Sequence, residues 1–325
     1  MTGYHETPAK IPVLFLMGPT ACGKSALALR LAVDFPVEIV NADSVQIYRG
    51  MEIGTAKPTP QERALVPHHL LDVTDPDQPW SADRYREAAW ETIHACHARG
   101  IVPLFVGGSG LYLRAVEQGL VVTPPVAEEV LTAIREQAAR HGWPYLHQEL
   151  VRVDPETAAR VTPGDGQRIL RALGVHAATG VPLGEWRRHQ PPPPPFAVLK
   201  LAIDTPRAIL YPRIDARFDR MVENGLPQEA RTLLEKNYDR ELPAMKAVGY
   251  RQIFPYLEGK RTLQEAMADA RLASRHYAKR QETWLKREDN LLRLTGEDPL
   301  PEAVAHVGRF LACRLPGRGY TVLRD

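Results

Sequence analysis

The stretch GPTACGKS, Gly18 to Ser25, follows the apolar run Ile11 to Met17 and leads straight into Ala26-Leu27-Ala28-Leu29-Arg30-Leu31. It fits the pattern G-x-x-x-x-G-K-[S/T], and a buried strand, a glycine loop and a helix start around it turn the match into a physical site. A helix N-terminus carries free N–H groups and the positive end of a dipole. The backbone of Gly18, Pro19, Thr20, Ala21, Cys22 and Gly23 can therefore wrap donors around a di- or triphosphate. Lys24 supplies a mobile charge, and Ser25 offers a hydroxyl to Mg²⁺, an ion that keeps most of its own waters.

Outward from that loop, strand and helix signals alternate. The spacing predicts strands at 11–17, 37–42 and 101–106 and helices at 24–34 and 84–99, hence an α/β, doubly wound parallel sheet. Gly107-Gly108-Ser109-Gly110 follows the third strand and precedes a helical stretch at 111–117. Loops at the carboxyl ends of parallel strands line the ligand crevice, so the loops after these three strands are expected to converge.

The text changes after Gly119. Helical patterns at 126–141, 145–152 and 166–179 are separated by Asp154-Pro155 and by Thr162-Pro163-Gly164-Asp165, which read as turns or caps. Pro191 to Pro195 reads as a stiff extended linker, and Phe196 to Ile203 as a strand of the same central sheet. The expected organisation is a P-loop core over 1–120, a helical insertion domain over 121–191, and the rest of the core over 192–325. Helices are expected at 206–224, 228–237 and 263–287. The last is basic: Arg271, Arg275, Lys279, Arg280, Lys286 and Arg287 stand against Glu282, with His276, Tyr277 and Trp284 interleaved, a mixture suited to phosphate backbone and stacked bases.

Composition narrows the class. The 325 residues carry a net charge of +2, so nucleic-acid affinity has to come from a local basic surface. No apolar stretch nears the ~20 residues that span a bilayer, and MTGYHETPAK at the N-terminus has no signal architecture, so no membrane is expected and the cytoplasm is the expected compartment. The three cysteines, Cys22, Cys96 and Cys313, are scattered, which argues against a disulfide framework and a zinc cluster.

A P-loop by itself does not choose among ATPase, kinase and diphosphate-releasing transferase. The second strand ends in Asp43-Ser44-Val45-Gln46, placing a carboxylate beside the phosphate loop. Asp43 could hold a metal through water, act as general base on an acceptor, or cap a following helix. No strand ends in the apolar-run-plus-Asp-Glu pattern of a motor ATPase, and the glycines with Ser109 suit close approach of a ligand to backbone.

Beyond these elements, the set GPTACGKS, NADSVQIYRGMEIGTAKP (41–58), PHHLLDV (67–73), FVGGSGLYLRA (105–115), GDGQRILRAL (164–173), AVGYRQ (247–252) and ASRHYAKRQETWLKR (273–287) resembles the tRNA dimethylallyltransferase (tRNA isopentenyltransferase) family. The likeness runs in order from about residue 11 to 288. It implies transfer of a dimethylallyl group from dimethylallyl diphosphate to the exocyclic 6-amino group of the adenosine just 3′ of the anticodon, in tRNAs reading codons that start with U. It implies Mg²⁺ on Ser25, the anticodon stem-loop as partner, and a monomer. Asp43 would take the amine's proton, while Lys24 and Arg217, the latter in RIDARFDRM, would neutralise the departing diphosphate.

The family's tRNA-contact positions fall on Asp43, Ser44, Val45 and Gln46, on Ser109, and on Gln167, Arg168, Ile169, Leu170 and Arg171. They continue through Ala247, Val248, Gly249, Tyr250, Arg251 and Gln252. Arg275, Lys279 and Arg280 are added from the basic helix. The helical insertion would grip the stem by shape and charge. Bland readings stand beside these: Arg168 and Arg171 as surface charges, Tyr250 as core. Four residues depart from the family's habit: Cys22 for serine, Ser109 for threonine, Leu131 where an arginine faces tRNA, and His276 for an amide. A small-molecule kinase, a non-catalytic RNA-binding nucleotide switch and a prenyltransferase acting on free AMP are the rival readings.

Overall fold

The computed structural model describes residues 10–315 except 79, 190, 191 and 193. The N-terminal tail, much of the proline linker and the terminal GRGYTVLRD lie outside the described residues. Two compact units emerge, one formed by residues up to Glu117 together with those from Pro194 onward, the other by Gln118–Pro193.

The larger unit is built on a six-stranded parallel sheet. In chain order its strands are β1 (Ile11–Met17), β2 (Val37–Ala42), β3 (His68–His69), β4 (Val102–Gly107), β5 (Phe196–Ile203) and β6 (Leu291–Leu294), in the spatial order β3-β2-β4-β1-β5-β6. Strand β1 is central, with Leu14 opposite Leu104 of β4 and Leu199 of β5. Its side chains alternate: Leu14 and Leu16 enter one core, Val13, Phe15 and Met17 the other. A strand covered on both faces needs apolar residues at every position, which is why it reads as a continuous run.

Before the insertion, the helices are α1 (Lys24–Asp34), α2 (Pro60–Leu65), α3 (Ala82–Ala98) and α4 (Gly110–Gln118). Leu27, Ala28 and Leu31 of α1 pack in the first core, and Tyr85, Ala89 and Ile93 of α3 with Tyr112 and Leu113 of α4 pack in the second. Burying one such aliphatic side chain contributes about 1.5–3 kcal/mol, so these stripes fix which face each helix turns to the sheet.

The insertion holds α5 (Glu128–His141), α6 (Trp143–Val153), α7 (Pro155–Ala158), α8 (Gly166–Thr179) and α9 (Leu183–Arg188) around a core that includes Ile134, Leu146, Leu150, Ile169 and Val175. Asp154 caps α7 by accepting from Thr157 N at 3.0 Å, and Asp165 caps α8 by accepting from Arg168 N at 3.2 Å. Back in the larger unit, α10 (Arg207–Glu223), α11 (Leu226–Glu235), α12 (Tyr250–Leu257) and α13 (Leu263–Leu285) share a third core with the loop after β2, through Ile47, Tyr48, Met51, Phe218 and Tyr250. Helix α14 (Leu300–Arg314) packs Ala303, Val307 and Leu311 into the first core.

Candidate active site

The site grows from three strand ends. From β1 the chain passes through the phosphate loop into α1, where Lys24 Nζ donates to the Pro19 carbonyl at 2.8 Å. Ser25 is exposed in the first turn of α1, and Cys22 is buried within the first core. From β2 the chain enters the loop that starts at Asp43. No described helix follows there until α2, and Asp43 Oδ1 accepts from Val45 N at 2.8 Å, so the carboxylate closes a turn rather than capping a helix. The buried Asn41 holds the aspartate's main chain from both sides, its Oδ1 accepting from Asp43 N at 2.9 Å and its Nδ2 donating to Asp43 O at 3.0 Å.

From β4 comes Ser109. Its hydroxyl oxygen accepts from Ser44 N at 3.0 Å, and its own amide donates to Ala42 O at 3.1 Å, which ties the second loop to the third. Tyr277 of α13 faces this pair. Burial raises its pKa and the nearby Asp43 charge raises it further, while the Ser109 side chain works in the opposite direction. Tyr112 is raised for the same first reason, burial, with Tyr48 and Asp43 adding to it.

Arg217 reaches in from α10. One guanidinium nitrogen donates to Thr20 Oγ1 at 3.2 Å and the other to Thr55 O at 3.5 Å. Burial lowers its pKa, and the Asp43 carboxylate pulls it back up. From α13 the amide of Gln281 accepts from Thr20 N at 2.9 Å and donates to Gly108 O at 3.2 Å.

Two cavities meet among these groups. The larger, about 940 Å³, runs from Lys24, Ser25 and Gly108 toward Lys57 and Arg63. The smaller, about 300 Å³, is lined by Ala247, Val248, Tyr277 and Arg280. Thr20, Asp43 and Arg217 line both, so they stand where a phosphate-bearing ligand in one lobe would present its reactive end to a group in the other. Gln46 borders the larger lobe, its amide donating to Thr55 O at 3.0 Å.

Several residues expected from sequence to face RNA have side chains that are buried or already paired, and others are exposed. Tyr250 is fully buried and its hydroxyl donates to Glu229, whose carboxylate also accepts from the amides of Glu52, Ile53 and Gly54. Its side chain is therefore core, and burial with Glu229 raises its pKa. Gly249 donates to Gln252 Oε1 at 3.0 Å, so Gln252 is spent on the start of α12, while Arg251 is exposed. In the insertion Ile169 is fully buried and Leu170 packs against the same core. Gln167, Arg168 and Arg171 are exposed on α8, Arg171 donating to Thr123 Oγ1 at 2.6 Å, and Leu131 lies beside Gly174. On α13, Arg275 is held by Asp215 and Arg271 by Asp219, both from α10, which takes them out of a free phosphate-binding face. Lys279 and Arg280 are exposed and make no ion pair among the described residues, and Arg280 stacks over Tyr277 at 5.6 Å.

Gln281 and Glu229 were missed as candidates in the sequence. The first is an amide inside a run of charges, and the second is one acid on an amphipathic helix; neither carries a spacing that announces its partner. The cluster Lys57, Glu52, Asp72 and Arg63 was missed too. There the buried ammonium of Lys57 donates to Tyr48 O, Glu52 and Asp72 at 2.7, 2.8 and 2.6 Å and stiffens the wall of the larger lobe.

Comparison with known proteins agrees in three ways. A family model described as "IPP transferase" matches residues 46–288. A tRNA dimethylallyltransferase of Magnetococcus marinus is 49% identical over 300 residues, covering 91% of this chain and 98% of its own. One of Roseiflexus castenholzii is 47% identical over 291 residues, covering 89% and 94%. Among solved structures, the tRNA isopentenylpyrophosphate transferase of Bacillus halodurans superimposes with a TM-score of 0.69 at 34% identity, covering 94% of this chain and 97% of its own. A eukaryotic dimethylallyltransferase acting on tRNA gives 0.79 at 26% identity, covering 95% and 81%.

Proposed function

The chain belongs to the IPP transferase family and transfers a dimethylallyl group to tRNA, and we propose the donor, the acceptor atom and the residue roles by which it does so. The donor is dimethylallyl diphosphate. Its two phosphates lie in the loop from Gly18 to Ser25, with Lys24 and Arg217 neutralising the charge that grows on the leaving group. The acceptor is the exocyclic 6-amino group of the adenosine immediately 3′ of the anticodon, in tRNAs that read codons starting with U. That base leaves its stack and enters the smaller lobe beside Tyr277 and Arg280.

In the transfer, the amine's lone pair forms the new N–C bond as the allylic C–O bond breaks. Diphosphate departs with that electron pair, and Asp43 accepts the proton released by nitrogen. An aromatic amine is a weak nucleophile, so most of the barrier reduction has to come from orientation and from stabilising the leaving group. The observation that carries this reading is that Thr20, Asp43 and Arg217 border both lobes of the cavity.

Mg²⁺ fits the residues present. The exposed Ser25 hydroxyl at a helix N-terminus offers one oxygen, which suits an ion that takes its other ligands from phosphate and water. Bound there, it would neutralise diphosphate charge. We further propose that the protein works as a monomer in the cytoplasm; no described helix is long and apolar enough to cross a membrane.

The acceptor assignment is tested with anticodon stem-loop RNAs that differ only at the nucleotide 3′ of the anticodon. Prenylation of the adenosine-bearing loop and none of the guanosine-bearing loop is expected. Equal labelling of both would reject the assignment.

A further inference from the structure

Helix α13 meets the loop after β4 through one stripe of side chains. Tyr277, Gln281 and Trp284 are spaced four and three apart and so share a face. Each meets a different residue between β4 and the start of α4: Tyr277 faces Ser109, Gln281 donates to Gly108 O, and Trp284 covers Gly110. The glycines are what allow this. A Cβ on Gly108 would lie 2.0 Å from Gln281 Nε2, and one on Gly110 would lie 2.2 Å from the Trp284 indole.

Gln281 also hydrogen-bonds to the phosphate loop. It is 5% exposed, and each end of its amide is used, Oε1 on Thr20 N and Nε2 on Gly108 O. Thr20 is thereby held from two directions, by Gln281 through its main chain and by Arg217 through its hydroxyl. Because Thr20 borders both lobes, the residue that sets its position sets where the diphosphate ends and the acceptor begins. One residue away, Arg280 borders the acceptor lobe.

We propose that Gln281 is a positioning residue for prenyl transfer, holding the phosphate loop, the loop after β4 and the acceptor-facing stripe of α13 in one frame so that the allylic carbon and the adenine amine meet in register. It touches neither reactant in this account and acts through Thr20 and Gly108. The inference rests on the proposed assignment of the two lobes to donor and acceptor.

Gln281→Met tests it in the full-length chain, because methionine keeps the length and buried volume while removing both hydrogen bonds. The readout is steady-state transfer from dimethylallyl diphosphate to tRNA. A fall in kcat on the order of 30- to 100-fold is expected, the scale of a sub-ångström to 1 Å misplacement of reactants. The KM for tRNA should stay within about threefold, since phosphate contacts on the exposed cations are untouched. Gln281→Ala is measured alongside and carries the same expectation should Gln281→Met melt without a cooperative transition. A kcat within threefold of wild type in a folded variant would overturn the proposal, and so would a loss confined to the KM for tRNA. Absence of transfer by the wild-type protein would instead reject the donor and acceptor assignment itself.

Discussion

Arg217 donates to the hydroxyl of Thr20 at 3.2 Å, a contact between residues 197 positions apart that brings α10 onto the phosphate loop. Burial lowers the guanidinium's pKa and Asp43 offsets part of that, so a strongly charged group is kept in a poorly hydrated place. A cation so placed is worth most when negative charge develops in front of it. Arg217→Ala should lower kcat by ~100-fold, the scale of losing one donor to a developing oxyanion. Arg217→Lys should recover only part of that, since a single ammonium cannot serve Thr20 and Thr55 together. Steady-state kinetics with saturating tRNA checks both; full activity in Arg217→Lys would show that charge alone suffices.

Asp43 is fixed by Asn41 and by its own turn onto Val45, which leaves its carboxylate at the border of the two lobes. Asp43→Ala should cost at least ~100-fold in turnover, as loss of a general base does. Binding of tRNA, measured without donor, should be kept within a few-fold. Unchanged turnover would remove the aspartate from the chemistry.

The loop at 52–54 hangs on one carboxylate. Glu229 accepts from three consecutive amides and from the Tyr250 hydroxyl, and the Tyr250 ring lies against Gly54, where a Cβ would come within 2.5 Å of it. Tyr250→Phe should destabilise the fold by about 1–3 kcal/mol, because the hydrogen bond from a buried hydroxyl to the Glu229 carboxylate is lost. Its affinity for tRNA should not change. A denaturant midpoint equal to wild type, or a specific loss of RNA binding, would put Tyr250 back among the RNA contacts.

Much of this was legible in the residues and some of it was not. β1, the phosphate loop and β2 read directly, because a strand apolar on both faces followed by glycines and a helix has few other meanings. Strand β6 did not: its four residues become a strand by pairing with β5, Leu291 beside Lys200, which is a tertiary event. Helix α12 opens on Gly249 and contains Pro255, so each end of it looks like a breaker. Helix α14 carries a legible pattern, Ala303, Val307 and Leu311 at every fourth position, but no chemical motif draws the eye to it. At the site, Asp43 and Arg217 sit in recognisable strings, whereas Arg275 looks like a phosphate contact until Asp215 is seen across from it.

Salt dependence should separate the insertion from the basic face of α13. Residues 121–191 contain eight arginines and no lysine against eight Asp and Glu, and Arg135, Arg152, Arg160 and Arg168 each pair with an acid. Lys279 and Arg280 are exposed, with no such partners among the described residues. Substituting Lys279 or Arg280 by Ala should therefore weaken tRNA binding and reduce the slope of log K against log salt by about 1. Arg152→Ala should leave the slope unaltered. Equal slopes in all three variants would mean α13 turns away from the RNA.

Acid stability should report on a cluster around Glu38, on the strand that leads to Asp43. Arg99 grips the Glu38 carboxylate at 2.6 Å through both oxygens; that pairing outweighs burial and, with His69, lowers the Glu38 pKa from 4.5 to about 2. A depressed carboxylate stabilises the fold fully above its unfolded pKa, and that contribution is lost as pH falls from about 4.5 toward 2. Glu38→Gln should be less stable at neutral pH and should lose less on acidification across that window, as read from denaturant midpoints. Parallel loss in variant and wild type would place the acid transition elsewhere. Beside it, burial first and then the Glu38 charge push the Cys96 thiol up to about 11, so alkylation at pH 8 should mark the exposed Cys313 well before Cys96.

The most direct test is nucleoside analysis of total tRNA after incubation with labelled dimethylallyl diphosphate and Mg²⁺, with wild type and Asp43→Asn side by side. Label is expected in 6-N-dimethylallyladenosine with the wild type, and its near disappearance with the variant. Label left wholly in dimethylallyl diphosphate with the wild type, or equal label in the tRNA with wild type and Asp43→Asn, would contradict it.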